Sequence, residues 1–477
     1  MNDDKNYVYS ATLPTGELLE TIYDPELKIT RLAIKHGDQV EVIEDCYQTG
    51  GRKYWPLPAD SDLLENDFVK LPSDLIPYKG ILQLYQEVKD HIACYVKLPD
   101  KFLTIATVYV LMTWVYDRFQ TLPYLRVLGD YGTGKSRFQQ VMASLCYKAM
   151  LAGSSISMAA LFRTINEVQG TLVYDEADFR SSELWNEIIK ILNSGHTANV
   201  PVLRMQVKNE SMKTKAFKVY GPKILASRER FSDEALESRC LTQHLFSTKN
   251  AKTPVHLPLD FSKQATAIRN KLLAFRLDNF FKILPDESTT DGIEFPRLKQ
   301  SALAITSLAS MIGQDVLSEV KSYLQGYEKE LQTSKKRDPK VDVLIAILRL
   351  TADRIAQQEE KMYIKDIKHE FELSNSDEYM DGSNSYKKDD GTVFVYPKRT
   401  ASARKIGVHV RNLGIQTERD SGGFYIPISQ EIKTIEILAD QFDLRKPWQD
   451  KKSDQDDLKL NAIPKIVNSI NPDDIPF

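Results

Sequence analysis

The residues Gly129-x-x-x-x-Gly134-Lys135-Ser136, inside PYLRVLGDYGTGKSR, have the spacing of a phosphate-binding loop. The chemistry asks for these residue types. Glycines, here Gly129, Gly132 and Gly134 around Thr133, let the backbone curl so that successive N–H groups face phosphate oxygens. The helix that follows adds the positive end of its dipole. Lys135 then reaches the β and γ phosphates of ATP, and the Ser136 hydroxyl ligates Mg2+. A second set of groups lies 40 residues beyond Lys135, where Gly170-Thr-Leu-Val-Tyr-Asp175-Glu176 is an apolar run ending in two carboxylates. Asp175 is placed to hold the magnesium shell and Glu176 to polarise an attacking water. The letters Asp175-Glu176-Ala177-Asp178 also spell the DEAD-box signature. That reading is rejected, because nothing downstream supplies a second ATPase-like lobe with its own arginine-rich motif.

Positioning these groups calls for a parallel α/β sheet. From about 121 to 245 short β-branched runs alternate with helical patterns, and the spacing predicts strands at Tyr124–Leu128, Thr171–Tyr174 and Lys223–Ala226. A helix is expected over Ser136–Tyr147, and the 40-residue interval leaves room for one helix, one strand and another helix. Residues 1–75 read as a β-rich N-terminal domain, and 76–120 as a helical linker region with helices near Gly80–Val96 and Phe102–Phe119. Residues 260–333 read as helices, including Arg297–Ile312 and Ser318–Leu331, which completes an ATPase unit over 121–333. The polar stretch TSKKRDPK marks a boundary before a smaller unit at 341–445, and residues 446–477 read as a disordered charged tail.

Further residues resemble the AAA+ ATPases, in the helicase branch that holds the minichromosome maintenance proteins and the superfamily-three helicases of viruses and mobile elements. The resemblance is carried by GPKILASRERFSDEALESRC, residues 221–240, and covers about 120–330. It implies an AAA+ core with a helical lid, Ser227 as the polar sensor that positions water, and Arg239 as an arginine finger acting on ATP bound by a neighbouring subunit. Arg228 and Arg230 are weaker candidates for that finger, and Arg297 resembles a second sensor contacting nucleotide from the lid. VPVLRMQVKNESMKTKAFKVYG reads as a hairpin ahead of Ser227, where Arg204, Lys208, Lys213, Lys215 and Lys218 face one acid, Glu210. In the family such a hairpin lines the pore of a ring, and a basic tip suits a threaded phosphate backbone. The competing reading is a solvated edge hairpin with protective lysines.

Residues 341–445 give helix–helix–helix–hairpin, which resembles a winged helix. Its third helix region, TASARKIGVHVRNLGI, carries Arg404, Lys405 and Arg411, preceded by Lys398 and Arg399, and Arg419 falls on the wing. These cations suit phosphate and base-edge contacts, although a protein-binding winged helix would look alike. The loop SNSDEYMDGSNSYKKDDG reads as a flexible insertion. Asp473-Asp474-Ile475-Pro476-Phe477 is similar to the acidic tip of bacterial single-stranded DNA-binding proteins, which implies docking to host replication proteins that read that tip.

The composition narrows the choices. A net charge of −3 makes local basic patches, not the overall field, responsible for any nucleic-acid binding. Cys46, Cys94, Cys146 and Cys240 stand apart without zinc spacing, and the start MNDDKNYVYS lacks the character of a secretory signal, so a cytoplasmic setting is expected. The expectation is an ATP- and Mg2+-dependent helicase or translocase, assembled as a homo-oligomeric, hexameric ring on single-stranded or forked DNA, replicating a mobile element or plasmid. Two alternatives stand beside it: an ATP-switched replication initiator or loader, and a regulatory AAA+ protein whose winged helix binds other proteins.

Overall fold

The structure, a computed structural model, describes residues 5–37, 39–153, 156–175, 183–208, 211–231, 233–246, 254–336, 339–376, 385–387, 393–395, 401–442 and 444–448, some by backbone alone. Two compact units result, Met1–Glu328 and Lys329–Phe477.

The first unit is organised around a six-stranded sheet. Its spatial order is Cys240–His244, Tyr124–Leu128, Lys223–Ser227, Leu172–Tyr174, Ala149–Ala152 and Val69–Lys70. The first five strands are parallel, and Val69–Lys70 closes the edge in antiparallel sense. Every residue of Tyr124–Leu128 and Lys223–Ser227 is buried, as expected of central parallel strands covered on both faces. Between Lys135 and Asp175 the chain forms the helix Lys135–Leu145, the strand Ala149–Ala152 and the helix Met158–Val168, the sequence of elements that the spacing requires. Ser157 caps that last helix by accepting from the Ala160 N–H at 3.3 Å, and Gln169 ends it with φ 47°.

Residues 7–56 form short strands, among them the antiparallel meander Ser10–Thr12, Leu18–Asp24, Ile29–His36 and Gln39–Ile43. The meander is tied to the six-stranded sheet through a buried carboxylate. Glu20 accepts from the Tyr147 hydroxyl at 2.8 Å and from Arg276 Nε at 2.6 Å, and Arg276 in turn grips Asp117 at 2.9 and 2.8 Å. Removing one member would strand a charge in the interior, which costs about 3–5 kcal/mol. Beside this network Lys148 donates to Ser10 Oγ at 2.8 Å, and burial pushes its pKa down to about 8.

Helices Ile81–Tyr95, Asp100–Thr113, Phe261–Asn279 and Pro296–Ile312 surround the sheet, close to the periodicity in the sequence. The helix expected to reach Phe119 stops at Thr113 and gives way to a 3-10 turn over Tyr116–Arg118. The helix Gln314–Lys336 is longer than expected and runs into the polar stretch read as a boundary.

The second unit places helices Pro339–Gln357, Ile364–Ser376, Ala403–Asn412 and Ile428–Gln441 around a three-stranded antiparallel sheet, ordered Lys361–Tyr363, Gly423–Pro427, Glu418–Asp420. Its core gathers Leu344, Ile347, Ile367, Ile406, Val410 and Ile435. The sequence showed the hairpin but not Lys361–Tyr363, a three-residue strand defined only by its pairing with Tyr425–Pro427. Ser385–Lys387, within the stretch read as a flexible insertion, pairs with Val393–Val395 just beyond it as an antiparallel ladder.

Candidate active site

Three neighbouring strands bring the predicted groups to one edge of the sheet. Tyr124–Leu128 delivers the glycine loop, Lys223–Ser227 delivers Ser227, and Leu172–Tyr174 delivers Asp175. Ser227 lies opposite Leu128, and Tyr174 lies opposite Leu225, so the three strands end within two residues of one another on the same side of the sheet.

The loop has the conformation that its glycines permit. Gly132 and Gly134 hold φ of 76° and 89°, a region closed to most side chains. Gly129 is required for a different reason: a Cβ there would sit 2.6 Å from the Leu245 carbonyl oxygen and 2.5 Å from Thr133 Oγ1. Gly134 precedes the helix Lys135–Leu145, whose first N–H groups are therefore free to meet an anion. Lys135 folds back so that Nζ donates to the carbonyls of Gly129 at 2.5 Å and Asp130 at 2.9 Å. Those are weak neutral acceptors that phosphate oxygens would replace with charge-assisted bonds. Ser136 is exposed on the first helical turn. Together, free amides, a tethered ammonium and an available hydroxyl fit a nucleotide triphosphate with its magnesium ion.

Asp175 follows the buried strand Leu172–Tyr174 and is half-buried, its N–H donating to the Ala152 carbonyl at 3.0 Å. Glu176 lies outside the described residues. Ser227 is fully buried and donates to the Glu229 carbonyl at 2.9 Å. A cavity of about 510 Å³ opens beside the loop, lined by Asp130, Tyr131, Arg228, His244 and Phe246. Arg228 stacks over the Tyr131 ring at 4.0 Å, so it belongs to the loop's own surroundings.

Arg239 and Arg297 lie elsewhere. Arg239 immediately precedes Cys240–His244, and its carbonyl accepts from the Tyr124 N–H at 2.9 Å, at the start of the strand whose far end carries the loop. Six residues at about 3.3 Å put it about 20 Å from Gly129, beyond the reach of its side chain. Its guanidinium is held by the carbonyl and side-chain oxygens of Asn193, the first at 3.1 Å. Arg297 donates to Ser238 Oγ at 2.9 Å and so shares this opposite edge. Within one chain, therefore, neither arginine meets the glycine loop. Burial, and then the charges of Arg239, Lys223 and Arg297, hold the nearby His196 imidazole down at about 4.

Two contributors escaped the sequence reading. Arg126, in the middle of the loop strand, is completely buried and forms a bidentate pair with Glu237 at 2.6 and 2.5 Å, with Thr242 Oγ1 at 3.0 Å from its Nε. It anchors the short helix Glu234–Glu237 that leads into Arg239. Lys223 is also buried and donates to the carbonyls of Val219, Gly221 and Gly195 at 2.9, 3.0 and 3.2 Å; burial lowers its pKa to about 7. A lone Arg in an apolar pentapeptide and a Lys after Pro were the available signals.

The hairpin is present as Val202–Lys208 paired with Ser211–Phe217. Arg204 lies opposite Lys215, and Gln206 opposite Lys213, so these residues share one face. Lys213, Lys215 and Lys218 are exposed, whereas Arg204 pairs with Glu187 and stacks over Phe162 at 4.6 Å. The backbone of Lys208 ends the first strand; its side chain and Glu210 lie outside the described residues. The opposite face exposes Leu203 and Met205, an apolar feature that the sequence reading did not single out.

In the second unit Arg404, Lys405 and Arg411 are exposed along Ala403–Asn412, and Arg419 is exposed on Glu418–Asp420, over the Phe424 ring at 5.3 Å. Lys398, Arg399 and the segment Asp473, Asp474, Ile475, Pro476 and Phe477 lie outside the described residues. Among the described residues no helix is long and apolar enough to cross a membrane.

No family model and no curated protein matches the chain. Solved structures similar to it include "SCCmec type IV Cch - active helicase", at 11% identity over 91% of this chain and 80% of that one with a TM-score of 0.41. The apo "NrS-1 C terminal region" aligns at 12% identity over 86% and 96%, with a TM-score of 0.34. A full-length MCM homolog from Methanopyrus kandleri aligns at 9% identity over 65% and 78%, with a TM-score of 0.31.

Proposed function

We propose that the chain is an AAA+ ATPase that translocates on or unwinds DNA, working as a homo-oligomeric ring. The observation that carries this reading is the split of the site across the sheet. The glycine loop, Asp175 and Ser227 share one edge, whereas Arg239 and Arg297 occupy the other. Such a split makes sense where one subunit's arginines complete the neighbour's site.

In this reading Lys135 leaves its two carbonyls for the β and γ phosphates, and Ser136 and Asp175 hold Mg2+. Glu176 takes the proton of the attacking water, which Ser227 orients. ATP hydrolysis supplies the free energy. Arg239 of one subunit, joined by Arg297, stabilises charge developing in the next, an effect of about 10³–10⁵ in rate. The lysines of the hairpin grip the single strand, and the second unit, read as a winged helix, contacts DNA through Arg404, Lys405, Arg411 and Arg419. Replication of a mobile element, a cytoplasmic setting and recruitment of host replication proteins through Asp473–Phe477 belong to the same reading.

A strand-displacement assay on forked DNA with wild type, Lys135→Ala and Lys208→Ala tests it. ATP-dependent displacement by wild type alone is expected. Hydrolysis without displacement by the wild type would rule against unwinding, and hydrolysis that DNA does not stimulate would favour an ATP-switched initiator or loader instead.

A further inference from the structure

The second unit carries a groove that phosphate contacts alone do not account for. A cavity of about 500 Å³ opens between the helix Ala403–Asn412, the start of Ile364–Ser376 and the turn of the hairpin. Its floor is apolar, with Ile364, the buried Gly407 and Phe424, a residue 48% exposed. Its rim is cationic, with Lys365, Arg404 and Arg411, all exposed. Among the described residues no Asp or Glu lines it.

A nucleic-acid backbone would satisfy the three cations and leave Phe424 and the floor in contact with water. A peptide with carboxylates beside a large apolar side chain would use both halves. The chain contains such a segment. After Lys465 there is no further Lys or Arg, and the sequence IVNSINPDDIPF combines Asp473 and Asp474 with Ile475 and Phe477.

Reach does not prevent the contact. The described chain continues to Trp448, whose indole N–H donates to Glu436 Oε1 at 3.3 Å on the helix Ile428–Gln441 of this same unit. The 25 residues from there to Asp473 span up to about 80 Å when extended, more than twice the roughly 30 Å diameter of a 100-residue domain.

From this complementarity we infer that the groove over Gly407 and Phe424 is the docking site of the chain's own Asp473–Phe477 segment. The two aspartates pair with Arg404, Arg411 and Lys365, and Phe477 lies against Phe424 and the bare helix surface at Gly407. Gly407 is informative because a Cβ added there meets only Ile364 Cγ2, at 4.0 Å. The helix leaves a place for a side chain that the sequence does not fill. Docking covers Arg404 and Arg411, so the segment competes with whatever anion those residues serve. The DNA consequence rests on the proposed function; the docking itself does not.

The test uses the full chain with the photo-crosslinking analogue benzoylphenylalanine replacing Phe477, and maps crosslinks by mass spectrometry. Crosslinks within one chain to residues around Ile364, Gly407 and Phe424 are expected. Gly407→Leu, which fills the groove and favours the helix, should abolish them. Crosslinks to other surfaces, crosslinks between chains, or crosslinks unchanged by Gly407→Leu would overturn the inference. In parallel, deletion of Ile475–Phe477 should tighten single-stranded DNA binding by about three- to tenfold, the gain from removing a tethered competitor at millimolar effective concentration. Gly407→Leu should remove the effect of that deletion. If no form of the chain binds DNA, the function proposed above fails while the crosslinks still decide the docking.

Discussion

Mixing two inactive variants provides the sharpest test of the split site. Lys135→Ala removes the loop ammonium, and Arg239→Ala removes a guanidinium whose backbone lies about 20 Å along the strands from Gly129, on the far edge of the same sheet. Were both residues to act within one chain, each variant would be inactive and no mixture could recover. If Arg239 serves the neighbour, an interface works whenever an intact loop meets an intact arginine. In an equal random mixture, each condition holds for half the subunits, so about a quarter of the interfaces are complete. Each variant alone should fall by about 10³-fold or more, the contribution of an arginine finger, so recovery to about a quarter of the wild-type rate stands far above either parent. The prediction is independent of ring size. Phosphate release is measured after subunit exchange, which pull-down of a tagged variant by its untagged partner verifies. A verified mixture no more active than its parents would refute the trans assignment.

Three further outcomes follow from the same geometry. Arg126→Met should lower unfolding free energy by about 3–5 kcal/mol in chemical denaturation, because it leaves Glu237 without its buried partner, and Arg126→Met with Glu237→Met should recover part of that loss. Lys213→Ala with Lys215→Ala should weaken single-stranded DNA binding and reduce the salt slope of log K by about 1.4, near 0.7 per lost phosphate contact, measured by fluorescence anisotropy. Lys223, with its pKa lowered to about 7 by burial, binds fewer protons folded than unfolded. Its contribution to stability therefore rises from about pH 7 towards its unfolded value near 10.4 and is lost as pH falls through 7. Lys223→Met should flatten that rise between pH 7 and 9 in denaturation midpoints.

Much of the core was legible because local pattern and tertiary role coincide there. Tyr124–Leu128 and Lys223–Ser227 are buried on both faces, so their apolar runs announce them, and the glycines at 132 and 134 mark a backbone only they adopt readily. The hairpin was legible for a similar reason, as two β-like runs about a polar turn. Cys240–His244 and Val69–Lys70 were not, because their strand character comes from neighbours that the fold supplies. The same holds for charges. Arg126, Glu20 and Lys223 look in sequence like ordinary surface residues, and only the packing of distant segments makes each a buried, partnered group. Sequence by itself determined which residues could handle a nucleotide, since loop chemistry depends on residues close together in the chain. Tertiary structure decided which edge each one occupies: the loop, Asp175 and Ser227 together, Arg239 and Arg297 opposite, because strand order and direction are set by long-range pairing.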